Sequence, residues 1–347
     1  MRWLPFGHLD PVTFPPSVRQ PSAMVQPTHG SARILFMGTP QFAVPSLMAL
    51  AEAGLKPVAV ATAPDRKRGR GQKTSATAVK EAALSLGIDT ILQPEDVKDP
   101  VFADEVRMLA PDIIVVVAFR ILPEAVFGAA RLGAFNLHGS LLPAYRGAAP
   151  INRAIMAGEM ETGVTTFFLK QKVDTGNIIM KRSLPIGPNE TAGEVHDRMM
   201  VLGAHVVVDT VRRMLDGPVM TQEQDDALAS PAPKIFRDDC RVDWSRPAKA
   251  IHDQIRGLSP APGAFSGFNG MQLKLYRAHL PTSIASSWDC AQPGTIVEVE
   301  PELVVCTGKG FLVLDEVQMA GRNRTNARDF VNGHQPRKGQ LLREVSV

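Results

Sequence analysis

With 347 residues the chain has room for two domains at the usual size of about 150 residues each. Its 44% apolar and 21% charged residues are those of an ordinary soluble globular protein, and no apolar run approaches the roughly 18 residues that would cross a membrane as a helix. The net charge of +3 is too small to argue for a nucleic-acid partner, so that argument must rest on where the charges lie. The three cysteines, Cys240, Cys290 and Cys306, are odd in number and far apart, so neither a disulfide framework nor a zinc site is expected and a reducing compartment fits.

Residues 1–31 are rich in Pro, Ser and Gln and lack the basic-then-apolar order of a secretory signal. They read as a disordered extension, or as sequence ahead of a true start at Met24. Order is expected from Arg33. Residues 33–37 form an apolar strand, 42–54 a helix and 58–62 a second strand. The stretch 65–73 that follows holds five basic residues in nine, with two glycines, and reads as a mobile loop. Residues 76–86 are helical with Gly87 as the C-cap, 90–92 a short strand and 101–109 a helix. Residues 113–118 are apolar and β-branched, as in a strand buried on both faces of a parallel sheet. Strands alternating with helices predict an α/β fold, an open Rossmann-like sheet. The first turn reads Gly38-Thr39-Pro40, without the glycine fingerprint of dinucleotide-binding proteins, which excludes a nicotinamide or flavin enzyme.

Residues 134–138 form the next strand, 149–156 a helix, and 164–169 with 178–181 a strand pair around a turn. A long helix over 191–215 opens on a capping box of Thr191 and Glu194. The polar, Pro-containing stretch 217–238 reads as an interdomain linker between a domain over 32–216 and one over 239–347. The second domain holds a helix near 251–257 and short strands at 272–276, 294–299, 303–306 and 311–317, the pattern of a small OB-like β-barrel.

The chemistry is concentrated after the strand 134–138, where open α/β sheets place their ligands. Asn136 and His138 are two apart, so a strand points an amide donor and an imidazole to one face. Asp174, in Val173-Asp174-Thr175-Gly176, is the candidate third group, although Asp-Thr-Gly alone is usually only a turn.

Together with His138-Gly-Ser-Leu-Leu-Pro143 and Tyr145-Arg-Gly-Ala-Ala-Pro150, these residues resemble the folate-dependent formyltransferases. The resemblance covers nearly all of the chain from Arg33 onward. It includes Phe36-Met-Gly-Thr-Pro40, Pro64-Asp-Arg66 and Glu161-Thr-Gly-Val164, and the Lys-Ile and Asp-Trp elements of Ala232-Pro-Lys-Ile235 and Arg241-Val-Asp-Trp244 narrow it to the family that formylates methionyl-tRNA. The resemblance implies 10-formyltetrahydrofolate as donor and the α-amine of initiator methionyl-tRNA as acceptor, by acyl transfer through a tetrahedral intermediate without a metal. It implies that Asn136 donates to the formyl oxygen, that His138 moves the amine proton and that Asp174 orients His138. It also implies that Ser140, Leu141, Leu142 and Pro143 line the folate pocket, largely through backbone. Arg66, Lys67, Arg68, Arg70 and Lys73 would contact tRNA, with Arg70 central, and the second domain would hold the tRNA by shape and charge. A monomer in a bacterial cytoplasm is expected on the same ground, in preference to an organelle.

The sequence departs from the family pattern at Ala118-Phe119-Arg120, where a glycine and one further residue are absent, and at Lys170-Gln171-Lys172, where acidic residues are usual. The rival readings are a formyltransferase of the same superfamily acting on a small amine, a formyl-folate hydrolase, and a non-catalytic RNA-binding protein on the same fold.

Overall fold

The computed structural model describes residues 32–68 and 73–343; the extension expected over residues 1–31 lies outside them. In chain order the first part comprises β1 (Ile34–Gly38), α1 (Val44–Glu52), β2 (Ala59–Ala61), β3 (Arg66–Arg68), β4 (Lys73–Ser75), α2 (Ala78–Ser85), β5 (Ile91–Leu92) and α3 (Pro100–Met108). There follow β6 (Ile113–Val117), α4 (Glu124–Phe127), β7 (Gly133–His138), α5 (Pro150–Met156), β8 (Glu161–Phe168), β9 (Ile178–Pro185) and α6 (Ala192–Asp216). The chemistry of the helix starts is visible locally. Thr77 and Asp99 accept backbone N–H groups at the starts of α2 and α3, and Thr191 with Glu194 forms the reciprocal box at α6.

The large sheet has the order β5-β2-β1-β6-β7-β8-β9. Strands β5, β2, β1, β6 and β7 are parallel, whereas β8 runs antiparallel to β7, and β9 to β8. Alternation along β1 sorts its side chains: Ile34 and Phe36 pack with α1 and α6, and Leu35 and Met37 with Phe102 and Val106 of α3. Both faces are thus covered, which is why β1 and β6 can be apolar throughout.

The second part holds α7 (Ala248–Leu258), β10 (Ala264–Phe268), β11 (Met271–His279), β12 (Ile296–Glu298), β13 (Leu303–Cys306), β14 (Phe311–Met319), β15 (Thr325–Asn326) and α8 (Ala327–His334). Its strands form an antiparallel, curled sheet in the order β10-β11-β14-β13-β12, with β15 added beside β14. Trp244, Leu275, Val305, Leu314 and Phe330 share its core. The interface with the first part includes a polar cluster. Asp253 accepts hydrogen bonds from Lys249 and Arg256, and Arg256 donates onward to the carbonyls of Gly187 and Glu190. Burial alone would raise the Asp253 pKa, but hydrogen bonds from His252, Lys249 and Arg256 outweigh it and hold it at about 2.

The cysteine reading needs correction. Cys290 and Cys306 form a disulfide, with Cα atoms 5.6 Å apart. A separation of 16 residues in sequence gave no sign of it, because the loop after β11 folds back onto the end of β13. Cysteine usage therefore carries no argument for a reducing compartment. Among the described residues no helix is long and apolar enough to cross a membrane.

Candidate active site

The C-terminal ends of β6 and β7 border a cavity of about 560 Å³. Strand β7 lies between β6 and β8, with Asn136 opposite Val116 and Phe167 and His138 opposite Thr165. Its pleat sends Asn136 and His138 to the same side, and both line the cavity together with Asp174. The three residues picked out in the sequence therefore converge.

The manner of their convergence differs from the expected one. His138 Nε2 lies 2.9 Å from the carbonyl oxygen of Tyr145. A carbonyl only accepts, so in the neutral ring the hydrogen sits on Nε2 and the lone pair on Nδ1. Nδ1 faces Asp174 Oδ2 at 3.9 Å, beyond hydrogen-bond reach. The ring is thus oriented by a backbone carbonyl, and Asp174 stands by as a charge. Both side chains are nearly enclosed, with 7% and 11% exposure, so the carboxylate acts on Nδ1 with little screening by water.

Asp174 is held from the opposite side. Its Oδ2 accepts the backbone N–H of Gly147 at 3.0 Å. Gly147 must be glycine on two grounds: its φ is +129°, and a Cβ there would lie 2.5 Å from the Ala232 carbonyl oxygen. Gly176 is fixed likewise, since its Cβ would overlap the carbonyl of Phe168. The Asp-Thr-Gly string is therefore a turn pressed against β8 with its carboxylate turned into the cavity.

Asn136 makes no side-chain hydrogen bond to any of the described residues, so its amide is available to a ligand. The apolar part of the cavity lining includes Val116, Phe119, Leu122, Phe127 and Leu169. Arg120 turns its guanidinium to the carbonyls of Pro94 (2.6 Å) and Glu95 (2.7 Å). The loop after β6 is thereby pinned to the chain after β5. Phe42 and His196 also line the cavity, with ring centroids 5.1 Å apart and their planes tilted by 54°.

Ser140, Leu141, Leu142 and Pro143 do not line this cavity. Ser140 and Leu142 are fully buried. The Ser140 hydroxyl donates to Ala144 O at 2.6 Å, and Thr165 Oγ1 bridges Ser140 O and Leu142 N. Leu142 packs against Phe167 and Ile178. These residues build the floor from which the Tyr145 carbonyl and Gly147 are presented.

The basic stretch is not a plain loop. Arg66–Arg68 and Lys73–Ser75 pair as an antiparallel ribbon. Its base is anchored where Asp65 accepts from Lys80 (2.7 Å) and Gln93 (2.8 Å). Those hydrogen bonds, Lys80 first, lower the Asp65 pKa. Arg66 is exposed; Arg70 and the side chains of Lys67, Arg68 and Lys73 lie outside the described residues. Tyr145 and Arg146 stand in the sequence signature without an assigned role, and Phe42, His196 and Gln224 were not singled out. Tyr145 contributes through its backbone, which leaves no mark on residue identity. Gln224 is a lone polar residue in a polar stretch.

A formyl transferase domain model matches residues 32–211 and a formyl transferase C-terminal domain model residues 234–335. The methionyl-tRNA formyltransferase of Chlorobium luteolum is 50% identical over 307 residues, covering 88% of this chain and 97% of the relative. That of Porphyromonas gingivalis is 46% identical, covering 87% and 95%, and that of Geobacter sulfurreducens 43% identical, covering 90% and 97%. Among solved structures, an N-formyltransferase from Helicobacter canadensis in complex with folinic acid and dTDP-3-aminofucose superposes with a TM-score of 0.63 at 21% identity, covering 83% of this chain and 100% of that one. The methionyl-tRNA formyltransferase from Clostridium thermocellum does so with a TM-score of 0.51 at 18% identity, covering 73% and 96%. With both formyl transferase domains matched in order and relatives of up to half-identical sequence aligned along nearly their full length, the chain belongs to the formyl transferase family and, within it, to the methionyl-tRNA formyltransferases.

Proposed function

We propose that the protein transfers the formyl group of 10-formyltetrahydrofolate to the α-amino group of initiator methionyl-tRNA, acting as a monomer in a bacterial cytoplasm. The observation that carries this reading is the convergence of Asn136, His138 and Asp174 on one cavity in a chain of this family. Residues 32–216 act as the catalytic domain, 217–238 as the connection and 239–347 as the tRNA-binding domain.

The cavity suits the donor. Its apolar, aromatic end accepts a flat ring, and the polar cluster adjoins it, as in small-molecule sites generally. The bound folate supplies the formyl carbon. Asn136 donates its free amide N–H to the formyl oxygen as negative charge develops there, a contribution of about 3 kcal/mol for a well-placed donor. His138 Nδ1 takes the proton that the attacking amine must lose and returns one to the leaving folate nitrogen. The imidazolium formed in between faces Asp174 Oδ2, and that charge pairing keeps the proton within reach of both nitrogens. Ser140, Leu141, Leu142 and Pro143 act on the folate through the loop they support. Arg66, Lys67, Arg68, Arg70 and Lys73 hold the tRNA phosphates near the cavity.

The test is transfer of radiolabelled formyl from 10-formyltetrahydrofolate to charged initiator methionyl-tRNA, with elongator methionyl-tRNA alongside. Transfer to the initiator alone is expected. Folate binding with transfer to neither tRNA would refute the acceptor and leave a small amine or water in its place.

A further inference from the structure

The stretch read from sequence as a linker is stitched to both catalytic loops. Gln222 and Ile178 exchange backbone hydrogen bonds of 2.7 and 2.9 Å, beside the Asp174 turn. Eight residues later Arg146 N donates to Ser230 O (2.8 Å), Ala232 N to Arg146 O (2.6 Å) and Ala149 N to Ala232 O (3.1 Å). The Ser230 hydroxyl accepts Tyr145 N–H at 2.9 Å. One end of the segment therefore holds the turn that carries Asp174. The other end holds the loop whose Tyr145 carbonyl orients His138.

Gln224 sits between these two ends, with 8% exposure. Its Nε2 donates to Asp174 O at 3.0 Å and to Gly176 O at 2.8 Å. Its Oε1 accepts from Arg146 Nε at 3.1 Å and Nη2 at 2.8 Å. The two donors and two lone pairs of the amide are all used, two on each catalytic loop. Arg146 Nη1 reaches on to Asp226 Oδ1 at 2.7 Å. Asp226 is two-thirds exposed, so that ion pair adds little by itself; the buried amide is the part whose loss strands polar groups.

We infer that Gln224 is a positioning residue for formyl transfer, fixing the Asp174 turn and the Tyr145–Gly147 loop at the spacing that brings Asp174 to His138. The inference rests on the roles given to His138 and Asp174 above. Gln224 does not line the cavity, so it acts only through the groups it holds. Removing it leaves binding surfaces in place and loosens the reacting groups, and a misplacement of about 1 Å costs about 100-fold in rate. A residue that merely fastened the chain would instead lower stability and leave the rate of the folded fraction unchanged.

The experiment compares Gln224→Ala, Gln224→Glu, Arg146→Ala and the double variant Gln224→Ala/Arg146→Ala with wild type. Glu keeps the volume and the bonds from Arg146 while losing both donations to Asp174 and Gly176, so it reports even if the Ala variant does not fold. The readouts are kcat and both KM values, well below each melting temperature. The expected result is a fall in kcat of about 10- to 100-fold, both KM values within about twofold, and a double variant no slower than the slower single one. A kcat within threefold of wild type, a loss confined to KM, or additive losses in the double variant would overturn the inference. Hydrogen exchange at the Gly147 amide, which donates to Asp174, gives a readout independent of activity; it should quicken by about tenfold or more in Gln224→Glu. Inactive wild-type enzyme would sink the functional reading, and unchanged Gly147 exchange would sink this one.

Discussion

Gly147→Ala tests the geometry of the site without touching a reacting group. The new Cβ would lie 2.5 Å from Ala232 O and 3.0 Å from its carbonyl carbon, where ordinary contact begins near 3.4 Å. Either the loop or the segment behind it must move by about 0.9 Å. Gly147 N donates to Asp174 Oδ2, and the Tyr145 carbonyl two residues earlier holds His138, so the displacement reaches both groups. A shift of that size is expected to slow the chemical step by about 100-fold. Left-handed backbone strain adds about 1–3 kcal/mol of destabilisation. Gly54→Ala separates the two effects, because Gly54 also has a positive φ, +76°, but nothing within 4 Å of its Cβ. Rapid-quench single-turnover transfer with saturating folate and methionyl-tRNA isolates the chemical step from product release. Gly147→Ala should be slow and Gly54→Ala fast. A Gly147→Ala enzyme with the wild-type single-turnover rate would refute the argument that loop placement sets the reaction geometry.

Asn136→Ala should fold and bind folate but lose about 100-fold in kcat, the equivalent of about 3 kcal/mol; full turnover would remove its assigned role. Asp253→Asn leaves Arg256 buried without its carboxylate and should lower the unfolding free energy by about 3 kcal/mol in a denaturant titration. The wild-type carboxylate has its folded pKa lowered to about 2 from 3.8, so its contribution is fully present above pH 3.8 and lost as pH falls through 2, about 2 kcal/mol in all. The Asn variant should therefore lose less stability than wild type across that acid window, and parallel curves would contradict the assignment. The KM for methionyl-tRNA should rise with salt, and Arg66→Ala should reduce that slope by about one unit on a log–log plot while the folate KM stays constant. A slope unchanged by the substitution would detach the basic ribbon from the tRNA.

The parts of this site that were legible in the sequence share one property: side-chain identity and a short repeat determine them. A β-branched run bounded by turns marked β6, and a spacing of two on the following strand put Asn136 and His138 on one face. The capping box over Thr191 and Glu194 fixed the start of α6 for the same reason. What was illegible depends on distant or backbone partners. The Tyr145 carbonyl would be there whatever the side chain, and Gln224 owes its burial to residues 48 to 78 positions away. Ser140 and Leu142 were placed at the ligand on family pattern, yet their hydroxyl and side chain serve the loop behind it. Strand β15 and helix α4, of two and four residues, are too short for periodicity to show.

These distant partners also bear on how a large substrate is presented. Residue 152, an asparagine on the cavity wall at the start of α5, donates to Gly257 O in α7 at 2.7 Å. One residue on, Arg153 grips Asp239, and the Asp253–Arg256 pair fastens α7 to the turn before α6. The curled sheet is thereby joined to the large sheet by partly buried polar bonds of fixed direction as well as by apolar contact. On the tRNA-binding role proposed for the second part, parts free to swing would pay a cost in orientational freedom on every encounter to bring the tRNA to the cavity. Held as they are, and under the proposed function, binding energy gained over the tRNA body would be available at once to place the aminoacyl end beside Asn136 and His138. A separate set of bonds, from Gln222, Gln224, Ser230 and Ala232, holds the connecting segment against the Asp174 turn and the Tyr145–Gly147 loop, and so sets the spacing of the groups proposed to act on the substrate.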